Sequence, residues 1–112
     1  MHTTDDKSDP NTAICRDAKR RLLEATDAKG RKLEVIDLPL TSELSHMNFY
    51  IGNDCVLVPI TGNRDEDDEP LGILRELFDD YDVIGIESNV LGKGGGGIHC
   101  ITQQVPRPMT KK

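Results

Sequence analysis

The chain has 112 residues, 36% of them apolar and 30% charged, with no tryptophan and a formal charge of −6. That composition fits one small domain, short of core material but above the range of disordered chains. The negative charge argues against a nucleic-acid backbone or an anionic membrane surface as the main partner and is compatible with a cationic ligand.

Nothing near Met1 has signal-peptide character, and no apolar run is long enough to cross a bilayer, so a reducing cytoplasmic setting is expected. Cysteines stand at 15, 55 and 100, an odd number without the spacing of a zinc site.

In chain order, residues 1–9 are polar and read as a loose N-terminal segment. Asp9-Pro10 reads as a helix start, with Asp9 as cap and Pro10 at the first helical position. Ile14, Ala18, Leu22 and Ala25 then share one face, and Gly30 closes the element. "KLEVIDLPL" reads as a strand stopped by Pro39.

"MNFYIGNDCVLVPI" predicts two strands joined by a turn at Gly52-Asn53-Asp54, residues that tolerate a positive φ. "CVLVPI" is apolar on both faces, as a covered inner strand would be. The acidic run Asp65–Glu69 reads as the solvated start of a second helix, favoured by the helix dipole, and not as a metal site. Leu71, Leu74, Leu77 and Phe78 form that helix's apolar stripe. "YDVIGIES" is a further strand, the glycines follow, and "GIHCITQQV" reads as a last strand before Pro106 and a tail over 107–112. The order α-β-β-β-α-β-β places the chain in the mixed α/β class, with one body over residues 10–106.

Three sets of residues could carry chemistry. The glycine run beside Lys93 could cradle a phosphate, but its order is wrong for a P-loop, and a flexible connector is the better reading. His46, His99 and Cys100 could hold a metal, but neighbours on a strand face opposite sides, so His99 and Cys100 would not share one ion. Cys100 could be a nucleophile, provided something lowers its pKa or takes its proton. By strand alternation, His99 is not the base for it. A buried, inert Cys100 remains the competing reading, and Cys15 and Cys55 are read as inert packing residues.

"GGGGIHCITQQVP", residues 94–106, resembles the C-terminal active-site motif of agmatine deiminases and their Porphyromonas-type peptidyl-arginine deiminase relatives. The resemblance extends, in order, to "ATDAKGRKLEVIDLPL", to "SHMNFYIGNDCVLVPITGN" and to "LRELFDDYDVIGIES". It implies part of a pentein fold, an α/β propeller of ββαβ-type modules, and an enzyme that hydrolyses agmatine to N-carbamoylputrescine and ammonia. It implies Cys100 as the catalytic nucleophile, with Gly95 and Gly96 giving room for a planar guanidinium beside it.

No metal and no cofactor are implied. The family's catalytic histidine and guanidinium-gripping acids match no motif here, and the chain lines up with only the last third of a family enzyme. His46 stands where the family has a tyrosine, a difference read as packing.

A third of a propeller would expose strand edges and an apolar flank. The expected partners are therefore a further copy or a missing N-terminal fragment, besides the small cationic substrate, with no nucleic acid and no membrane. The expected object is an incomplete deiminase, inactive as an isolated chain. The alternative is a non-enzymatic pentein-derived assembly module.

Overall fold

The computed structural model describes residues 1–39 and 44–108 of the chain. The last residues of the tail expected over 107–112, and Leu40 of the segment that ends in "LPL", lie outside the described residues.

The centre is a three-stranded sheet in the order β3-β4-β5, formed by Tyr50–Ile51, Cys55–Ile60 and Asp82–Glu87. β3 and β4 make the expected hairpin, with Tyr50 opposite Leu57 and Ile51 opposite Val56. Gly52 N donates to Cys55 O at 2.8 Å to close it. None of Gly52, Asn53 and Asp54 takes a positive φ, so the turn does not use the freedom for which those residues were singled out.

β4 is the inner strand its two-faced apolar pattern predicts, and Val56 and Val58 are fully buried. β5 runs parallel to it in register from Cys55–Asp82 to Ile60–Glu87. The crossover is α2, Arg64–Leu77, capped by Asn63, whose side chain accepts from Asp65 N. Leu71 and Leu74 of α2 close the core over Val56, Val58 and Leu38, with Phe49 set edge-on against Phe78 at 5.6 Å.

The acidic start of α2 is not wholly solvated, contrary to the expectation from sequence. Asp67 is buried, because four donors converge on its carboxylate.

The N-terminal half departs further from expectation. Residues 1–9 are not simply loose: β1, His2–Thr3, pairs in parallel with β2, Leu38–Pro39. Extended chain at the terminus has found a partner for otherwise open backbone groups, and Leu38 N donates to Met1 O at 2.7 Å. Pro39 therefore lies inside the strand it was expected to stop, and residues 33–37 form no strand.

α1 spans Asn11–Glu24 with Pro10 as its cap residue, and Asp9 Oδ1 accepts from Asn11 N at 2.8 Å. The helix stops six residues before Gly30, which instead takes φ 76° in a turn beyond it. Its apolar stripe is largely uncovered among the described residues: no residue of α1 is buried, Ala18 is half-buried, and Ile14 is 64% exposed.

The expected last strand is absent. After β5 come a short helix α3, Asn89–Lys93, the glycines, one turn of 3-10 helix at His99–Ile101, and unpaired chain to 108. The backbone N–H groups of His99 and Cys100 go to Asn48 instead of to a neighbouring strand. The observed layout remains mixed α/β. Its radius of gyration of 15.9 Å exceeds the roughly 13 Å of a compact domain of this length.

Candidate active site

Cys100 sits in the 3-10 turn and is exposed, not the buried strand residue of the competing reading. Its position is set by a residue 52 places earlier, Asn48. Asn48 Oδ1 accepts from His99 N at 2.8 Å and from Cys100 N at 3.3 Å. Its Nδ2 donates to the sulfur at 3.1 Å. His99 N also reaches the backbone oxygen of Asn48 at 3.1 Å.

One carboxamide thus replaces a strand partner for the turn and solvates the thiol. The Asn48 amide, with the backbone of Gly97, holds the Cys100 thiol below its ordinary pKa, because both stabilise the thiolate.

The glycines fit around this clamp. A side-chain carbon at Gly97 would lie 2.6 Å from Asn48 Cγ, so only glycine leaves the amide in place. Gly95 takes φ 89°, which reverses the chain between α3 and the 3-10 turn. A carbon added at Gly96 would sit 3.3 Å from Cys100 Cβ. Gly95 and Gly96 also line an open cavity of about 660 Å³ with Glu87, Ser88, Asn89 and Ile101. The run does not open an α-helix, so it lacks the geometry of a phosphate loop.

The 3-10 turn overturns the alternation argument that set His99 and Cys100 on opposite sides of a strand. Both are exposed on one helical turn, and His99 Nε2 lies 3.3 Å from Gln104 Nε2. His46 is fully buried with Nε2 2.8 Å from Asp67 Oδ1, away from Cys100. The candidate metal trio is therefore divided: His46 is committed to Asp67, whereas His99 and Cys100 face solvent. Among the described residues no group of three His, Cys, Asp or Glu side chains is placed to hold a metal ion.

Cys15 and Cys55 are half-buried and free. Asn48 was missed by sequence reasoning, although its Asn-Phe-Tyr string was visible. A carboxamide carries no charge and no nucleophile to mark it.

Residues 1–106 match the sequence profile of the Porphyromonas-type peptidyl-arginine deiminase family. The agmatine deiminase of Medicago truncatula is 35% identical to the chain, over 92% of the chain and 35% of that protein. The agmatine deiminase of Stutzerimonas stutzeri is 36% identical, over 96% and 36%.

Among solved structures, an agmatine deiminase of Enterococcus faecalis superposes with a TM-score of 0.85 at 32% identity, covering 95% of this chain and 36% of that one. The fold is thus part of a pentein. The chain spans about a third of the length of the relatives it matches.

Proposed function

Because the chain belongs to the Porphyromonas-type peptidyl-arginine deiminase family, we propose that it is the cysteine-bearing C-terminal part of a guanidine deiminase acting on agmatine. The observation that carries this reading is the exposed Cys100 thiol, biased toward thiolate by an amide that fixes it at both sulfur and backbone. The deiminase names of the similar proteins support the substrate class.

In this proposal the Cys100 thiolate attacks the guanidinium carbon of agmatine, forming a C–S bond and a tetrahedral adduct. Ammonia departs with a proton supplied to it, leaving an amidino-thioether on the sulfur. Water adds to that carbon, the C–S bond breaks, and N-carbamoylputrescine leaves as the thiol is restored. Asn48 Nδ2 stabilises the sulfur anion at the start and the end of the cycle. Gly95 and Gly96 let the planar group lie against the backbone beside the sulfur. No metal or redox cofactor enters any step.

Among the described residues, no carboxylate or imidazole is a hydrogen-bond partner of the Cys100 sulfur. We therefore assign the proton-transferring histidine and the acids that grip the guanidinium to sequence outside this stretch, and the chain alone to an inactive state. Its partners are then the cationic substrate and the polypeptide that completes the ring, either a separate fragment or further copies. Three free cysteines suit a reducing, cytoplasmic compartment.

The test co-expresses the chain with a polypeptide carrying the other two thirds of a relative's length, and measures N-carbamoylputrescine formed from agmatine. Turnover that disappears in Cys100→Ser supports the reading. A well-formed complex as silent as Cys100→Ser rejects it. Turnover by the chain alone would reject only its incompleteness.

A second reading, a non-enzymatic assembly module, is favoured by β5. It is an edge strand carrying the exposed Ile84 and Ile86. A closed oligomer of the chain by light scattering, silent toward agmatine in every combination, would favour that reading.

A further inference from the structure

Two arms hold Cys100, and both lead to one buried carboxylate. The first arm is the turn from Ser45 to Asn48, in which Asn48 N donates to Ser45 O at 3.0 Å. His46 lies inside this turn, fully buried, with Nε2 2.8 Å from Asp67 Oδ1. The second arm is α3, which leads through the glycines into the 3-10 turn of Cys100. Asn89 of α3 donates from Nδ2 to Thr61 O at 2.6 Å. Thr61 in turn donates to Asp67 from its N at 2.9 Å and its Oγ1 at 3.1 Å, and Gly62 N donates at 2.8 Å.

We infer that Asp67 is a positioning residue for Cys100, acting through His46 on the Asn48 amide and through Thr61 on the α3–glycine arm. The inference deepens the deiminase reading and rests on it.

The arrangement is not what packing alone would select. Asp67 is 3% exposed, and taking a carboxylate out of water is unfavourable unless its lone pairs are all met. Among the described residues His46 Nδ1 is buried without a hydrogen-bond partner, a cost that an apolar side chain of the same size would avoid.

What the polar pair provides is direction. Hydrogen bonds fix the turn's orientation where an apolar contact would let it slide, and a small rotation there carries the Asn48 amide away from the sulfur. Phe49, packed on Phe78 immediately after Asn48, holds the other side of the same amide-bearing segment.

The experiment follows the pH dependence of Cys100 alkylation by iodoacetamide in the full chain, read by peptide mass spectrometry, with Cys55 as an internal reporter of general loosening. The variants are His46→Gln, which keeps a donor near the Nε2 position, His46→Leu, which removes it, and Asp67→Asn.

The expected result is a higher alkylation midpoint and a several-fold slower Cys100 reaction at neutral pH in His46→Leu and Asp67→Asn. Cys55 stays as protected as in the parent, and His46→Gln lies close to the parent. An unchanged Cys100 profile in folded His46→Leu overturns the inference, as do changes that run in parallel at Cys55 and Cys100. If Asp67→Asn does not fold, the His46→Gln and His46→Leu pair decides alone. Agmatine turnover is no part of this readout, so failure of the deiminase reading would appear separately.

Discussion

Asn48 bonds Cys100 twice, donating to its sulfur at 3.1 Å and accepting from its backbone N–H at 3.3 Å. The same side chain therefore sets where the thiol stands and how readily it ionises. Asn48→Ala removes both contacts. We predict that its Cys100 alkylation midpoint moves up toward that of an ordinary thiol and that reaction at neutral pH slows several-fold. A pH series of alkylation rates at Cys100 checks this, and an unmoved midpoint would show that the amide does not tune the sulfur.

Gly97→Ala tests the clamp from its other side. The new methyl would stand 2.6 Å from Asn48 Cγ, within a buried part of the loop. We predict a loss of about 1–3 kcal/mol in stability by urea denaturation, the range of an overpacked site. Cys100 should also lose reactivity in step with Asn48→Ala, because the amide is pushed off the sulfur.

Acid should unfold the chain partly through Asp67. Burial works to raise its pKa, but hydrogen bonds from His46, Thr61 and Gly62 outweigh burial and hold the carboxyl below its ordinary range. A depressed native pKa stabilises the fold at pH values above the unfolded-chain value of about 3.9. That stability is lost as the pH falls through the lower native value. Asp67→Asn is expected to lower stability at neutral pH by about 1–3 kcal/mol. Its stability should also vary less with pH on the acid side, as followed by circular dichroism between pH 2 and pH 5.

Two apolar truncations should differ sharply. Leu74 is 2% exposed in the core of α2 and β4, so Leu74→Ala should lose about 2–5 kcal/mol. Ile14 faces solvent on α1, and Ile14→Ala should stay within about 0.5 kcal/mol. A large effect at Ile14 in the isolated chain, measured by urea denaturation, would mean that copies of the chain cover α1 in solution.

The elements legible in the sequence were those whose signals are local. "CVLVPI" is apolar on both faces and is the inner strand. Leu71 and Leu74 repeat with the helical period and are buried on α2.

The stretch after the glycines misled because its strand-like composition is answered by one distant side chain. Asn48 satisfies the backbone that a neighbouring strand would have satisfied, and no local pattern announces that. The same holds for Asp67. It lies in a run of acids that look alike in sequence, and only the fold brings His46, Thr61 and Gly62 to it. Of the stripe expected on α1, Ile14, Ala18 and Leu22 lie on the helix and Ala25 just beyond its end, and burial of such a face depends on something to cover it. The stretch around Cys100 stood out for a different reason, because "IHCITQQ" resembles a family string and is not a product of periodicity.

The clamp on Cys100 also has a bearing on when the thiol becomes reactive. Asn48 and Cys100 are 52 residues apart, so their contact closes a loop that contains the β3–β4 hairpin, α2 and β5. Closing so long a loop is favourable only after the elements within it have formed and packed. The thiol therefore keeps ordinary reactivity while the chain is being made and collapses, and sharpens as the last contact forms. The rise of Cys100 reactivity with time then reports the closing of the Asn48–Cys100 contact, and with it the completion of folding.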